Sequence, residues 1–187
     1  MWYAAYGSNL DRARMLCYVQ GGCPPGAART YAGCLDPAPP RAARAMVLSF
    51  PLFFAGRSSV WDDCGVAFVG TRRDPPAGTF ARAWLVTSAQ FADIVRQENG
   101  GAPTGEPLDL SALTTRGELT LGAGWYEHLL LCGVEGGVPV VTATAAAAPA
   151  PVPPSPAYVQ CMVEGLMDSH ALSEADARAY VAARIRP

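Results

Sequence analysis

Two places in the sequence combine residue types that could do chemistry. The first is Tyr6-Gly7-Ser8-Asn9-Leu10, where an aromatic and small-residue run, Trp2–Tyr6, breaks at glycine ahead of residues at helical spacing. A small-residue turn running into a helix presents backbone N–H groups without intrahelical partners, which suits a carboxylate. An ordinary capped helix needs the same junction, with Ser8 or Asn9 as cap and Asp11 in the first turn. The second place is Glu98. Phe91, Ile94, Val95 and Glu98 recur at i, i+3, i+4 and i+7, so the carboxylate lies on the apolar face of its helix. Desolvation and the negative helix end both raise the pKa of such a group, toward the range of general acid–base work. A frayed last turn at Gly100-Gly101 would instead leave Glu98 in water.

Other chemistries find less support. All 14 basic residues are arginine, so Schiff-base chemistry, pyridoxal-phosphate anchoring and a P-loop are excluded. The six cysteines, Cys17, Cys23, Cys34, Cys64, Cys132 and Cys161, form no Cys-x-x-Cys pair and read mostly as small core residues. His128 and His170 stand apart from any ligand cluster, so no metal is expected and a zinc-dependent deacylase fits poorly. There is no Gly-x-Ser-x-Gly elbow, and His128 and Cys132 on one strand would stand too far apart to act together. Trp125, Tyr126 and Tyr158 read first as core aromatics, second as phenol donors to a ligand. With a net charge of −2 and no long arginine cluster, a nucleic-acid partner is not expected.

Positioning these residues requires a folded core. Half the residues are hydrophobic and 16% are charged, a balance that argues against disorder, and the length fits one domain, residues 1–187. No apolar run is long enough for a membrane span, and no leader pattern opens the chain, so a cytoplasmic protein is expected. Hydrophobic periodicity predicts a helix over Leu10–Gln20 with Leu10, Ala13, Leu16 and Cys17 inward. Strands follow at Arg29–Cys34, Ala45–Phe54, Gly65–Val69 and Phe80–Thr87. A helix from Ala89 to Gln97 or Glu98, capped by Thr87 or Ser88, precedes a Gly/Pro/Thr-rich loop reaching Ala123. Strands near Glu127–Val134 and Val138–Ala145 lead to a polyproline-like crossing over Ala146–Pro156. Pro156 opens a helix to about Met167, and Ser173 with Asp176 starts a last helix through Ile185. The order argues for α+β: a small, mostly antiparallel barrel or strongly curled sheet flanked by helices.

These landmarks carry a resemblance. Tyr6-Gly7-Ser8-Asn9-Leu10 after an aromatic strand resembles the Tyr-Gly-Ser-Asn-Leu motif of the γ-glutamylcyclotransferase-like proteins. Gln97-Glu98 resembles that family's catalytic glutamate, Gly124-Trp125-Tyr126 its Gly-x-Tyr, and Pro153–Tyr158 with Cys161-Met162 a segment near its C-terminus. The resemblance implies a small barrel with surrounding helices, no metal, no organic cofactor, and release of 5-oxoproline from a γ-glutamyl amide. By the same resemblance Tyr6, Gly7, Ser8, Asn9 and Leu10 bind the glutamyl end, Glu98 moves protons, and Tyr126 and Tyr158 line the pocket. Residues 99–124 form a longer Gly/Thr/Leu-rich insertion than a compact enzyme has, expected to overhang the site and alter what lies beyond the γ-amide. A non-catalytic small-molecule-binding or scaffold protein on the same fold is the alternative.

Overall fold

A computed structural model of the chain describes residues 1–24, 29–122 and 124–185. In chain order the elements are β1 (Trp2–Ala5), α1 (Arg12–Gln20), β2 (Ala43–Leu48), β3 (Leu52–Ser58), β4 (Cys64–Val69) and β5 (Thr79–Leu85). Then come α2 (Ser88–Glu98), α3 (Ser111–Arg116), β6 (Glu118–Thr120), β7 (His128–Glu135), β8 (Val138–Thr144), α4 (Pro156–His170) and α5 (Glu174–Ala182).

The residues of β1, two aromatics followed by two alanines, are all buried because both faces of that strand are covered. Trp2, Ala4 and Tyr6 join one hydrophobic cluster, Tyr3 and Ala5 the other. β1 runs antiparallel to β5 and parallel to β8, at the centre of a mixed six-stranded sheet ordered β2-β5-β1-β8-β7-β6. Helices α1 and α2 pack with the Tyr3 face; α4, α5 and the β3–β4 pair close the Trp2 face.

The expected single strand over Ala45–Phe54 is two strands belonging to different sheets. The break falls at Ser49–Pro51, where proline has no N–H to give a ladder. β3 and β4 form their own antiparallel sheet, and along its other edge β4 meets side chains at Ala67 and Val69. Ala67 N–H donates to Tyr158 Oη at 3.0 Å and Ala67 O accepts from Tyr126 Oη at 3.0 Å. Two residues on, Val69 N–H donates to Thr144 Oγ1 at 3.2 Å and the same hydroxyl donates to Val69 O at 2.6 Å. Gly65, on the same edge, donates to Pro153 O at 2.8 Å, and a Cβ there would stand 1.9 Å from Val152 O. The α+β expectation holds, but the described residues form no closed barrel; a side-chain seam joins the two sheets.

Other boundaries moved for identifiable reasons. Arg29–Cys34 is no strand: Tyr31 makes one isolated bridge, to Gly22, and the segment is held by side chains of α2. Residues 99–124 do not hang free over the site. They carry α3 and β6, with Leu113 buried, and none of the described ones lines the cleft detailed below; Ala123 lies outside the described residues. The Leu-rich content of the span is used against the Tyr3-face cluster, through Leu108, Leu110, Leu113 and Leu119. The proline-rich crossing is strand-like, Val152 N–H donating to Phe54 O and Gly56 N–H to Ala150 O. Only Cys34 of the cysteines is fully buried. No helix among the described residues is long and apolar enough to cross a membrane.

Candidate active site

Glu98 is delivered by a helix fixed at both ends. Thr87 and Gln90 form a reciprocal capping box at the start of α2. Phe91 and Ile94 are completely buried, each stabilising the helix's position by about 1.5–3 kcal/mol relative to exposure. The last turn does not fray. Asn99 donates to Val95 O at 2.9 Å and accepts from Tyr126 N–H at 2.9 Å, tying the helix end to the aromatic landmark that follows it in sequence. Glu98 Oε1 accepts from Asn9 Nδ2 at 2.8 Å. Burial pushes the Glu98 carboxyl above its ordinary value, against the opposing pull of the Arg14 guanidinium and of Tyr18 and Asn9.

The turn that supplies Asn9 is a short 3₁₀ segment, Ser8–Leu10, and not the start of α1. Asp11 caps α1 instead, accepting from Arg14 N–H at 2.8 Å. The buried face of α1 is Arg14, Met15, Tyr18 and Val19; of the expected Leu10–Ala13–Leu16–Cys17 stripe, Leu10 is fully buried, Leu16 and Cys17 are half-buried and Ala13 is exposed. A hydropathy pattern scores arginine as outward, whereas Arg14 is only 3% exposed. Its Nε donates to Ser8 Oγ at 2.8 Å and its Nη2 to Tyr31 Oη at 2.7 Å, while its charge stacks 4.7 Å from the centre of the Trp61 ring. Nη1 is buried without a partner among the described residues, as is Asn9 Oδ1.

Three tyrosines expected at the site differ in what their hydroxyls do. Tyr6 donates to Ala143 O at 2.6 Å and Tyr126 donates to Ala67 O. Tyr158 Oη accepts twice, from Ala67 N–H and from Ser8 N–H at 3.3 Å. Gly7 makes room for it: a Cβ at Gly7 would stand 2.6 Å from Tyr158 Oη. The φ of Gly7 is −105°, so the position demands close approach and not a left-handed backbone.

Together these groups line a cleft of about 730 Å³, its open mouth included. Tyr6, Gly7, Ser8, Asn9, Glu98, Tyr126 and Tyr158 all face it; Leu10 does not. Leu10 is fully buried in the core and its N–H donates to Gly7 O, so its place in the motif is structural. Every tyrosine except Tyr180 lines the cleft, and its charged residues are Glu98, Arg14 and Arg29.

No family model matches the sequence. The chain is similar to a protein of Arabidopsis thaliana named histone deacetylase 5, at 32% identity over 97% of its own length, and it spans 30% of that protein. Its fold is similar to that of YkqA from Bacillus subtilis, with a TM-score of 0.54 at 14% identity, over the whole of this chain and 56% of that one.

The structure therefore brings together, from opposite ends and the middle of the chain, most of the residues singled out in the sequence. It adds Arg14, Tyr18, Arg29, Tyr31 and Trp61. A signal existed for two of them: Arg14 and Tyr18 are four apart on one helix face, and a buried arginine needs such a partner. Tyr31 lies in an irregular segment and Trp61 in a 3₁₀ turn of three residues, both too short for periodicity to read. Among the described residues no three His, Cys, Asp or Glu side chains are grouped to hold a metal ion. His128 engages Thr120 Oγ1 and His170 engages Ser169 Oγ, both away from the cleft.

Proposed function

We propose that the cleft takes a γ-glutamyl amide and releases 5-oxoproline by attack of the substrate's own α-amine on its γ-carbonyl. What carries this reading is a pair of buried atoms, on two residues that line the cleft, without a partner among the described residues. Arg14 Nη1 is a charged donor and Asn9 Oδ1 a neutral acceptor, and the Glu98 carboxylate stands beside the latter. An α-amino acid end satisfies both: carboxylate on Arg14, ammonium toward Asn9 and Glu98. The Gly7 and Asn9 N–H groups, which take no partner from the described residues, add donors for the carboxylate. Glu98, with its raised pKa, accepts a proton from the α-nitrogen and returns it to the leaving amine. Holding the amine against the carbonyl supplies the remaining advantage of an intramolecular reaction. The resemblance of Tyr6–Leu10, Glu98 and Tyr126 to the γ-glutamylcyclotransferase-like proteins supports the same assignment.

The deacetylase name belongs to a protein of which this chain matches under a third. The cleft's own donors, phenols and arginines around one carboxylate, are not the His- and Asp-rich set that holds a hydrolytic zinc. Incubating the protein with a panel of γ-glutamyl amines and dipeptides and detecting 5-oxoproline by mass tests the reading. Binding of these compounds without 5-oxoproline would make the chain a binding module.

A further inference from the structure

The hydrogen bonding around the motif turn leaves one hydroxyl proton unused. Tyr158 Oη receives the N–H groups of Ser8 and Ala67. A phenol oxygen that accepts two donors directs its own O–H away from both. The ring is 2% exposed and packed edge-on to Trp61 and Phe54, and among the described residues its hydroxyl donates to none. Tyr126 and Tyr6 differ, since their protons are committed to Ala67 O and Ala143 O. The Tyr158 hydroxyl stands against Gly7, and Asn9, two residues further along the turn, holds Glu98. A carbonyl group lying along Gly7–Asn9 thus has a proton carrier at one end and a neutral donor at the other.

We propose that Tyr158 is a catalytic residue that donates its O–H to the γ-carbonyl oxygen of the substrate as that oxygen becomes an oxyanion. This rests on the γ-glutamyl reading of the cleft. In the step, the α-nitrogen bonds to the γ-carbon and the C=O π pair moves onto oxygen, where the Tyr158 proton meets the growing charge. Collapse restores C=O and breaks the bond to the leaving nitrogen. Two protons leave the α-nitrogen and two arrive on the leaving nitrogen, one carried by Glu98 and one exchanged with solvent. The two backbone N–H groups polarise the phenol toward donation. Burial pushes the Tyr158 phenol up to about 12, with the Ala67 and Ser8 N–H groups opposing, so the proton is present at neutral pH. Arg14, a full charge, suits the permanent charge of the carboxylate; a neutral donor suits charge that appears only in the transition state.

Steady-state kinetics of wild type, Tyr158→Phe and a protein with 3,5-difluorotyrosine at position 158, on the best γ-glutamyl substrate, test this. Tyr158→Phe is expected to lower kcat by about 10²–10³-fold with KM within roughly threefold, the pattern of an interaction made in the transition state. A raised KM with unchanged kcat would assign the phenol to ground-state binding, and no change in either would make it structural; both overturn the proposal. If Tyr158→Phe fails to fold because Ser8 and Ala67 lose their acceptor, the fluorinated protein decides, since it keeps the oxygen and strengthens the donor. Its kcat should then change at least about twofold at constant KM, and an unchanged kcat rejects the role. A wild type that makes no 5-oxoproline removes the γ-glutamyl reading and this role together. Wild-type turnover with indifferent variants removes Tyr158 alone.

Discussion

Asn9 Nδ2 donates to Glu98 Oε1 at 2.8 Å, so a turn near the N-terminus and the last residue of α2 share one bond across 89 positions of sequence. Asn9 is 4% exposed, and the bond orients both partners: it fixes the Glu98 carboxylate at the cleft wall and leaves Asn9 Oδ1 without a donor among the described residues. On the proposed reading, the amide donates to the Glu98 carboxylate and its Oδ1 remains to accept from the substrate's ammonium.

Glu98→Gln keeps the shape and the acceptor for Asn9 but removes the proton carrier. Turnover of a γ-glutamyl amide is expected to fall by at least ~10²-fold with the fold intact by circular dichroism. Equal rates would take Glu98 out of the mechanism.

The same substitution has a stability signature. A carboxyl whose pKa is higher in the folded state contributes stability that is full below its ordinary value and lost as pH rises through the raised one. Gln has no such loss. Thermal melts should find Glu98→Gln more stable than wild type at pH 7 and the two converging near pH 4 and below, roughly the ordinary range of a glutamate. In activity, wild-type kcat/KM should show an acid limb displaced above that range, as expected for a base that must be ionised. A variant less stable than wild type at neutral pH would mean that Arg14 outweighs burial at this carboxyl.

Ser8→Ala should be more damaging than the loss of a helix cap. Ser8 is not the cap of α1; its Oγ accepts from Arg14 Nε at 2.8 Å, and Arg14 is buried. Leaving one N–H of a buried guanidinium unpaired costs about 1–3 kcal/mol, and the group that would meet the substrate carboxylate loses its anchor. Urea denaturation measures the first effect and KM the second. Ser8→Thr, which retains the hydroxyl, should restore KM if the bond to Arg14 is the cause.

How much of this could be read beforehand depends on whether a signal was local. The capping of α2 by Thr87, the inward face Phe91–Ile94–Val95–Glu98 and the hairpin of β7 and β8 follow from spacing within a few residues, and the structure has them. The face of α1 departs from its hydropathy pattern because its defining residue is a buried arginine, held there by Ser8, Tyr31 and Trp61 from other segments. The break in Ala45–Phe54 is local, at Pro51, whereas the membership of β3 in a second sheet depends on its pairing with β4, whose other edge ends on Thr144 and Tyr158 side chains far along the chain. The segment 99–124 looked like a loop since neither α3 nor β6 is longer than 6 residues, too short for periodicity to register.

Asp93 shows how the insertion is held, and it can be tested by titration. Its carboxylate is 1% exposed and accepts from the N–H groups of Leu35, Thr104 and Gly105 and from Arg96. Burial alone would push it up; those donors overcome burial and hold it below its ordinary value. A lowered folded-state pKa contributes stability that is present above the ordinary value and lost as pH falls through the folded one. Asp93→Asn should destabilise by about 1–3 kcal/mol at pH 7, since a neutral amide cannot replace four charge-assisted acceptor contacts. The gap from wild type should close in acid. Hydrogen exchange should show Thr104 and Gly105 losing protection in the variant, and unaltered exchange there would mean that the insertion is anchored elsewhere.

Gly7 and Tyr158 should be energetically coupled, with a sign that follows from geometry. At φ −105° and ψ −142° an L-residue is tolerated, so Gly7→Ala adds little backbone strain. What it adds is a methyl 2.6 Å from Tyr158 Oη, which forces the phenol off Ser8 and Ala67 N–H. Tyr158→Phe alone strips those two N–H groups of their acceptor. In the double variant the methyl meets no hydroxyl; the next atoms, Ala67 Cβ and Tyr158 Cζ, stand at 3.2 and 3.8 Å, so the second substitution adds little to the damage of the first. The two losses should therefore fall short of additivity by about 1 kcal/mol or more in a four-protein urea-denaturation cycle. Losses that add within roughly 0.5 kcal/mol, as for sites without shared partners, would show that the glycine is required by the ligand or the chain path and not by the Tyr158 hydroxyl.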